Sequence, residues 1–214
     1  MKPAAETLQD HPADRAEATR QRILDVALGL FRTMGYQKTA VADIARELGM
    51  SPANVYRFFA SKSAINEAIA AQMLQSLSES AWEIARGPGR PPERMAELLR
   101  FLHRREVEMF FHEKRLHDMV TAAIGEHWGV VQRFVRVIVD SIRHVLMDGM
   151  ASGDFARLDP ERTALTIKHA MLPWNHPHHV AECFAHGETP EELRAAHEDM
   201  IAFVLRALRP DPIA

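Results

Sequence analysis

Four borderline-soft ligands, His176, His179, Cys183 and His186, follow one another at steps of three, four and three residues. On a continuous helix that spacing lines one face and could present imidazole and thiolate to a metal ion. Pro177 stands directly after His176 and should break such a helix. The stretch is therefore expected to be a solvated histidine-rich turn with a buried thiol, and no metal site is assigned. A second constellation, Val41 to Phe59, reads as two short helices around a tight turn. Ala45 is small enough to let them approach steeply, Gly49 lets the chain reverse, and Ile44, Leu48, Val55 and Phe59 can close a miniature core. That arrangement leaves the leading end of a helix over Ser51 to Phe58 outside, where it can enter a duplex major groove. The chain has no nucleophile–base pairing, no phosphate-binding glycine loop and no His-Glu-x-x-His motif.

The elements that must position these residues are helices. Apolar residues recur at three- and four-residue spacing after residue 15, and alternating β-branched runs are missing, so the fold is expected to be all-α with about nine helices. Residues 1–14, with two prolines and no periodicity, read as a disordered arm. A first helix is predicted from Ala16 to Met34, with Ile23, Ala27, Leu30, Phe31 and Met34 on one face and Gly35 as its stop. Thr39 reads as the N-cap of the next, and Ser51-Pro52 and Ser61 as the starts of two more. The Ser61 helix should reach Arg86, before Gly87-Pro88-Gly89-Arg90-Pro91-Pro92. Beyond it, helices are expected over Glu93 to Phe111, Lys114 to Gly125, His127 to Ala151, Pro160 to Trp174, Pro177 to Ala185 and Pro190 to Leu208. Asp159-Pro160 and Thr189-Pro190-Glu191-Glu192 carry start signals, the latter with capping-box spacing.

Charge is distributed unevenly. Of 214 residues with a net charge of -3, residues 15–62 carry 8 Lys and Arg against 4 Asp and Glu, whereas residues 63–214 are net acidic. A basic N-terminal block on an acidic body suits a polyanion-binding head, because DNA responds to the local field. No run reaches the ~18 consecutive apolar residues of a membrane span. Met1 to Asp14 lacks the character of a secretory signal, and Cys183 is the sole cysteine. A cytoplasmic protein without a membrane partner is expected.

From Arg22 to about Met73 the chain resembles the TetR family of repressors. The resemblance is carried by Arg22-Ile23-Leu24, Ala27, Leu30-Phe31, Gly35-Tyr36, Thr39, Ile44-Ala45, Leu48-Gly49, Ser51, Val55-Tyr56, Phe59 and Ser61-Lys62. It implies a three-helix helix-turn-helix DNA-binding domain over residues 15–62 and a larger helical-bundle domain over 63–214 for ligand binding and dimerisation. It implies also that Thr39, Tyr56 and Lys62 contact phosphates, and that Ala53, Asn54 and Arg57 face the groove, with Ser51 and Pro52 at the leading end. Asn can pair with adenine, Arg with guanine, and Pro52 and Ala53 can touch thymine methyls. Gly149 to Phe155, with His176-Pro177, resembles a subgroup of TetR-like C-terminal domains.

One short reading helix covers too few base pairs for specificity, so a homodimer on a palindromic operator is expected. The apolar stripe Leu193, Ala196, Met200, Ile201, Val204, Leu205 and Leu208 suits an interface built from the last two long helices. The partners implied are double-stranded operator DNA and an unidentified, lipophilic small-molecule effector; no cofactor is implied. Its pocket is expected among Phe101, Met109, Trp128, Phe134, Met171 and Trp174, with His117 and His169 able to orient a polar group. The expected function is a ligand-responsive transcriptional regulator without catalysis, acting as a repressor. An all-α metal-dependent enzyme and a helical interaction module without DNA binding are the alternatives.

Overall fold

The computed structural model describes residues 12–112 and 128–210. The expected arm up to residue 11, the expected helix from Lys114 to Gly125, the pocket candidate His117 and the side chain of Trp128 lie outside the described residues. Within them the chain is entirely helical: α1 (Pro12–Met34), α2 (Val41–Glu47), α3 (Pro52–Tyr56), α4 (Lys62–Arg86), α5 (Pro91–His112), α6 (Trp128–Ser152), α7 (Pro160–Ala170), α8 (Leu172–Asn175), α9 (Pro177–Ala185) and α10 (Pro190–Ala207). None of the described helices is long and apolar enough to cross a membrane.

Local signals account for most boundaries. Asp159 accepts the amides of Glu161 and Arg162 to cap α7, and Thr189 and Glu192 exchange the two bonds of a capping box at the start of α10. Two of the boundaries that differ from expectation have a local cause in proline. Helix α1 begins at Pro12, since proline is tolerated in the first helical turn, where its missing N–H has no partner to lose. The expected helix from Pro160 to Trp174 is broken at Met171. Pro173 cannot donate to the carbonyl of His169, and its ring would clash there, so the chain restarts as the one-turn helix α8.

The chain divides into two compact units, one ending at Ile69 and the other beginning at Ala70. In the first, Ile23, Leu24, Ala27 and Phe31 of α1 join Val41, Ile44 and Ala45 of α2, Val55 of α3, and Phe59, Ile65 and Ile69 in the buried set. Met34, expected on the inner face of α1, is 41% exposed. It sits in the last turn, beside the left-handed stop at Gly35, and Tyr36 takes the inner place, edge-on to Phe31 at 5.2 Å.

The second unit has its own core, in which Ala81 and Ala85 of α4, Met95, Leu98 and Leu99 of α5, Ile142 and Leu146 of α6, and Ile201 and Val204 of α10 are buried together. Arg94 ties three helices, donating to the Ala85 carbonyl at 2.6 Å and to Asp148 of α6 at 2.9 Å. After α6 the chain folds back so that Phe155 lies against Gly149, its amide bonding the Gly149 carbonyl at 3.0 Å. A Cβ at position 149 would fall inside the envelope of the Phe155 ring. This contact explains the pairing of Gly149 with Phe155 in the sequence. Gly149→Ala is therefore expected to destabilise the protein by about 1–3 kcal/mol through overpacking. Urea unfolding measures this directly, and Gly149→Ala combined with Phe155→Leu should recover part of the loss.

Candidate nucleic-acid interface

The turn between α2 and α3 is set by backbone conformation. Gly49 adopts φ +66°, a left-handed geometry that glycine takes without a Cβ penalty. Met50 bonds back to the Ala45 carbonyl at 2.9 Å, and Ser51 then opens α3 by accepting the Asn54 amide at 3.3 Å. Five residues are far too few for an independent helix. Helix α3 is held instead by Val55, fully buried, and by the buried Phe59 just beyond it. Arg20 of α1 braces this end, donating to the Phe58 carbonyl at 3.1 Å and lying 4.2 Å over the Phe59 ring.

With Val55 inward, the remaining side chains of α3 are outward. Ser51, Pro52, Ala53 and Arg57 are exposed, Asn54 is half-exposed, and Tyr56 is 51% exposed. Tyr56 and Lys62 line one groove of about 450 Å³ together with Lys38, Thr39 and Ser61. The Lys62 ammonium donates to the carbonyls of Tyr36 at 2.9 Å and Gln37 at 3.4 Å and lies 4.4 Å over the Tyr36 ring. An ammonium has three donors, so one remains. Lys38, exposed at the groove rim, was not singled out from the sequence. Its neighbour Thr39 was the available signal.

Thr39 itself departs from expectation. It is 2% exposed and its hydroxyl donates to the Gly35 carbonyl at 2.9 Å, so that proton is not free for a phosphate. The N-cap of α2 is Ala40, whose amide is taken by the Asp43 carboxylate at 2.9 Å. That bond and the Arg46 guanidinium hold the Asp43 carboxyl below its ordinary range. Thr39 is thus a structural pin for the turn between α1 and α2.

The comparisons match both units. A family described as "Bacterial regulatory proteins, tetR family" matches residues 23–69. One described as "Tetracyclin repressor-like, C-terminal domain" matches residues 91–201, about half of the chain. The chain belongs to the TetR family. It is a DNA-binding transcriptional regulator. It is 26% identical to the HTH-type transcriptional regulator YhgD of Bacillus subtilis (strain 168) over 155 residues, 69% of this chain and 78% of that protein. Across 85 residues, 39% of this chain and 40% of the relative, it is 35% identical to the HTH-type transcriptional regulator AcrR of Shigella flexneri. A solved TetR-family regulator from Pectobacterium atrosepticum shares its fold with a TM-score of 0.73 at 20% identity, over 95% of this chain and all of the other.

The TetR-family body distributes the expected pocket residues unevenly. Phe101 and Met171 are buried in the packed core, with Phe134 partly buried against it. Met109 and Trp174 are half-buried, and His169 is exposed on α7, so it is not an interior wall. The stretch His176 to His186 is not one continuous helix face, as the position of Pro177 led one to expect. His176 has an extended backbone and caps α9 by accepting the His178 amide through Nδ1 at 3.3 Å. Cys183 is half-buried rather than buried, and burial pushes its thiol up. Among the described residues no group of three or more His, Cys, Asp or Glu is arranged to hold a metal ion.

What sequence reasoning missed is a buried histidine pair. His103 of α5 and His197 of α10 stack with ring centroids 4.2 Å apart, at 5% and 1% exposure. Position 197 lies on the inward face of α10 between Leu193 and Ile201, whereas Ala196, counted in the apolar stripe, is exposed in the single chain. Burial lowers the proton affinity of both rings and pushes His197 down to about 3. An unfolded histidine titrates near ~6.5, so below that pH the unfolded chain binds more protons than the folded one. Stability is fully present above pH ~6.5 and falls as pH drops, by about 1.4 kcal/mol per pH unit for His197 alone. Urea midpoints at pH 6.5 and 5.0 should reveal a loss of about 2 kcal/mol from this residue, and His197→Phe should flatten the slope by that amount.

Proposed function

We propose that the chain is a ligand-responsive repressor that binds a palindromic operator as a homodimer. Residues 15–62 form the reading head and residues 63–214 the sensing and dimerising body. The observation that carries the DNA reading is the outward face of α3, where Asn54 and Arg57 stand exposed or half-exposed on a helix anchored from behind by Val55. In this reading Arg57 pairs with guanine and Asn54 with adenine, while Pro52 and Ala53 touch thymine methyls. Tyr56, the Ser51 hydroxyl and the remaining Lys62 donor hold phosphates. Lys38 adds a further charge at the same groove. The Thr39 hydroxyl is not included, because its proton is committed to Gly35.

Dimerisation is supported by apolar groups that the single chain leaves uncovered. Phe203 of α10 is 59% exposed, Leu165 of α7 is 41% exposed, and Leu158 just before α7 is 40% exposed. Phe203 lies outside the apolar stripe expected on α10. Leu193, Ile201, Val204 and Leu208 face the core, while Phe203 faces away from it. An effector bound in the body shifts the population toward a spacing of the two heads that no longer fits adjacent half-sites. The cytoplasm is the compartment in which such a regulator meets its operator.

Selection of duplex from a random pool, followed by fluorescence anisotropy on the selected site and on random duplex, tests the DNA reading. Arg57→Ala should weaken the selected site roughly five- to 150-fold per half-site and leave random duplex nearly unchanged. Tyr56→Phe should weaken both equally. Wild-type affinity for the selected site in both variants would refute the assignment. Phe203→Glu should shift the protein from dimer to monomer in sedimentation experiments at micromolar concentration while its helical content is retained.

A further inference from the structure

The seam between α5, α8 and α10 contains polar groups that the chain does not satisfy. His103 Nδ1 lies 2.9 Å from the Trp174 carbonyl, which can only accept, so Nδ1 carries the hydrogen. The stacked partner His197 is 1% exposed, yet its Nε2 is buried with no hydrogen-bond partner. Asn175, the residue after Trp174, has its Oδ1 buried in the same condition. Such atoms cost folding free energy, and apolar side chains of similar shape would avoid that cost. Two of them, on neighbouring elements beside aromatic rings, point to a group supplied from outside the chain.

We infer that this seam is the polar anchor of the effector site, and that it takes an uncharged aromatic molecule bearing a hydroxyl. The inference rests on the ligand-responsive reading above. The His197 Nε2–H donates to the ligand oxygen, and the ligand hydroxyl donates to Asn175 Oδ1. The ring has aromatic company in Trp174, whose indole lies 6.0 Å from the His197 ring. A charged ligand is disfavoured by the surroundings. Both imidazoles are neutral near pH 7, and Arg100 and Glu198 are joined to each other by two bonds of 2.7 and 2.8 Å. Lone-pair acceptors without a hydrogen, such as ethers, satisfy His197 but leave Asn175 unpaired.

The test uses three matched probe series, 4-substituted phenols, their methyl ethers and the corresponding benzoates. Each is added to the full-length protein, with thermal shift and release from selected DNA read in parallel. Phenols should bind about tenfold tighter than their ethers and tighter than the benzoates, the difference expected for one buried hydrogen bond. His197→Leu should weaken phenols and ethers alike, about tenfold, while raising the melting temperature of the unliganded protein. Asn175→Ala, at a half-exposed position, should erase the preference for phenols over ethers and guards against failure of the first variant to fold. Equal shifts for phenols and ethers, as simple hydration of both atoms would give, overturn the inference. So do tightest binding of the benzoates, a preference that survives Asn175→Ala, or phenol binding unchanged by His197→Leu. If phenols bind through His197 without releasing DNA, the site stands and the regulatory reading falls. If another compound class releases DNA without His197, the regulatory reading stands and this site falls.

Discussion

The reading head depends on one backbone torsion. At Gly49 the chain takes φ +66°, and every feature of the presumed contact surface follows from the direction it leaves that residue. A residue with a Cβ would pay roughly 1–2 kcal/mol to adopt the same conformation. Helix α3 has only five residues and a single side chain, Val55, fully inside, so it has little packing energy with which to absorb such a cost. The turn must therefore be available without strain. Once it is, Ser51 caps α3, Val55 meets Ile44 and Ala45 in the buried set, and Asn54, Tyr56 and Arg57 are carried outward together.

Around that torsion the head spends its own polar groups on rigidity. Lys62, Thr39 and Arg20 each commit donors to backbone carbonyls at the ends of helices or turns. Such contacts fix where the groove beside Tyr56 lies, and they explain why not every polar residue in a recognisable motif is available to a partner. The body follows a different logic. Its core is mostly apolar, and at the α5–α10 seam two neutral imidazoles replace the leucine or isoleucine that the stripe pattern would lead one to expect.

Much of this was legible from residue types and spacing, for an identifiable reason. Ser51-Pro52, Asp159-Pro160, Thr189 with Glu192, and the glycines at 35 and 49 are signals whose physics is local, and the structure places helix ends at each. The all-helical class and the outward placement of Arg57 and Tyr56 followed from period and burial of the apolar partners. What was not legible depended on contacts distant in sequence. Nothing near Thr39 announces that its hydroxyl turns back to Gly35 and leaves the cap to Ala40. The inward role of His197 depends on how α10 is rotated against α5, and His169, placed near pocket walls by sequence, is exposed because α7 presents that face outward. Pro173 was a local breaker that helical periodicity outweighed.

The central claim is that α3 enters the major groove. Its most direct test is methylation interference at guanine N7, which lies in the major groove, on the DNA selected by the protein. The account predicts interference at guanines in two patches related by a dyad, on one face of the duplex. Interference confined to minor-groove adenine N3, or a single patch without a symmetric mate, would contradict it.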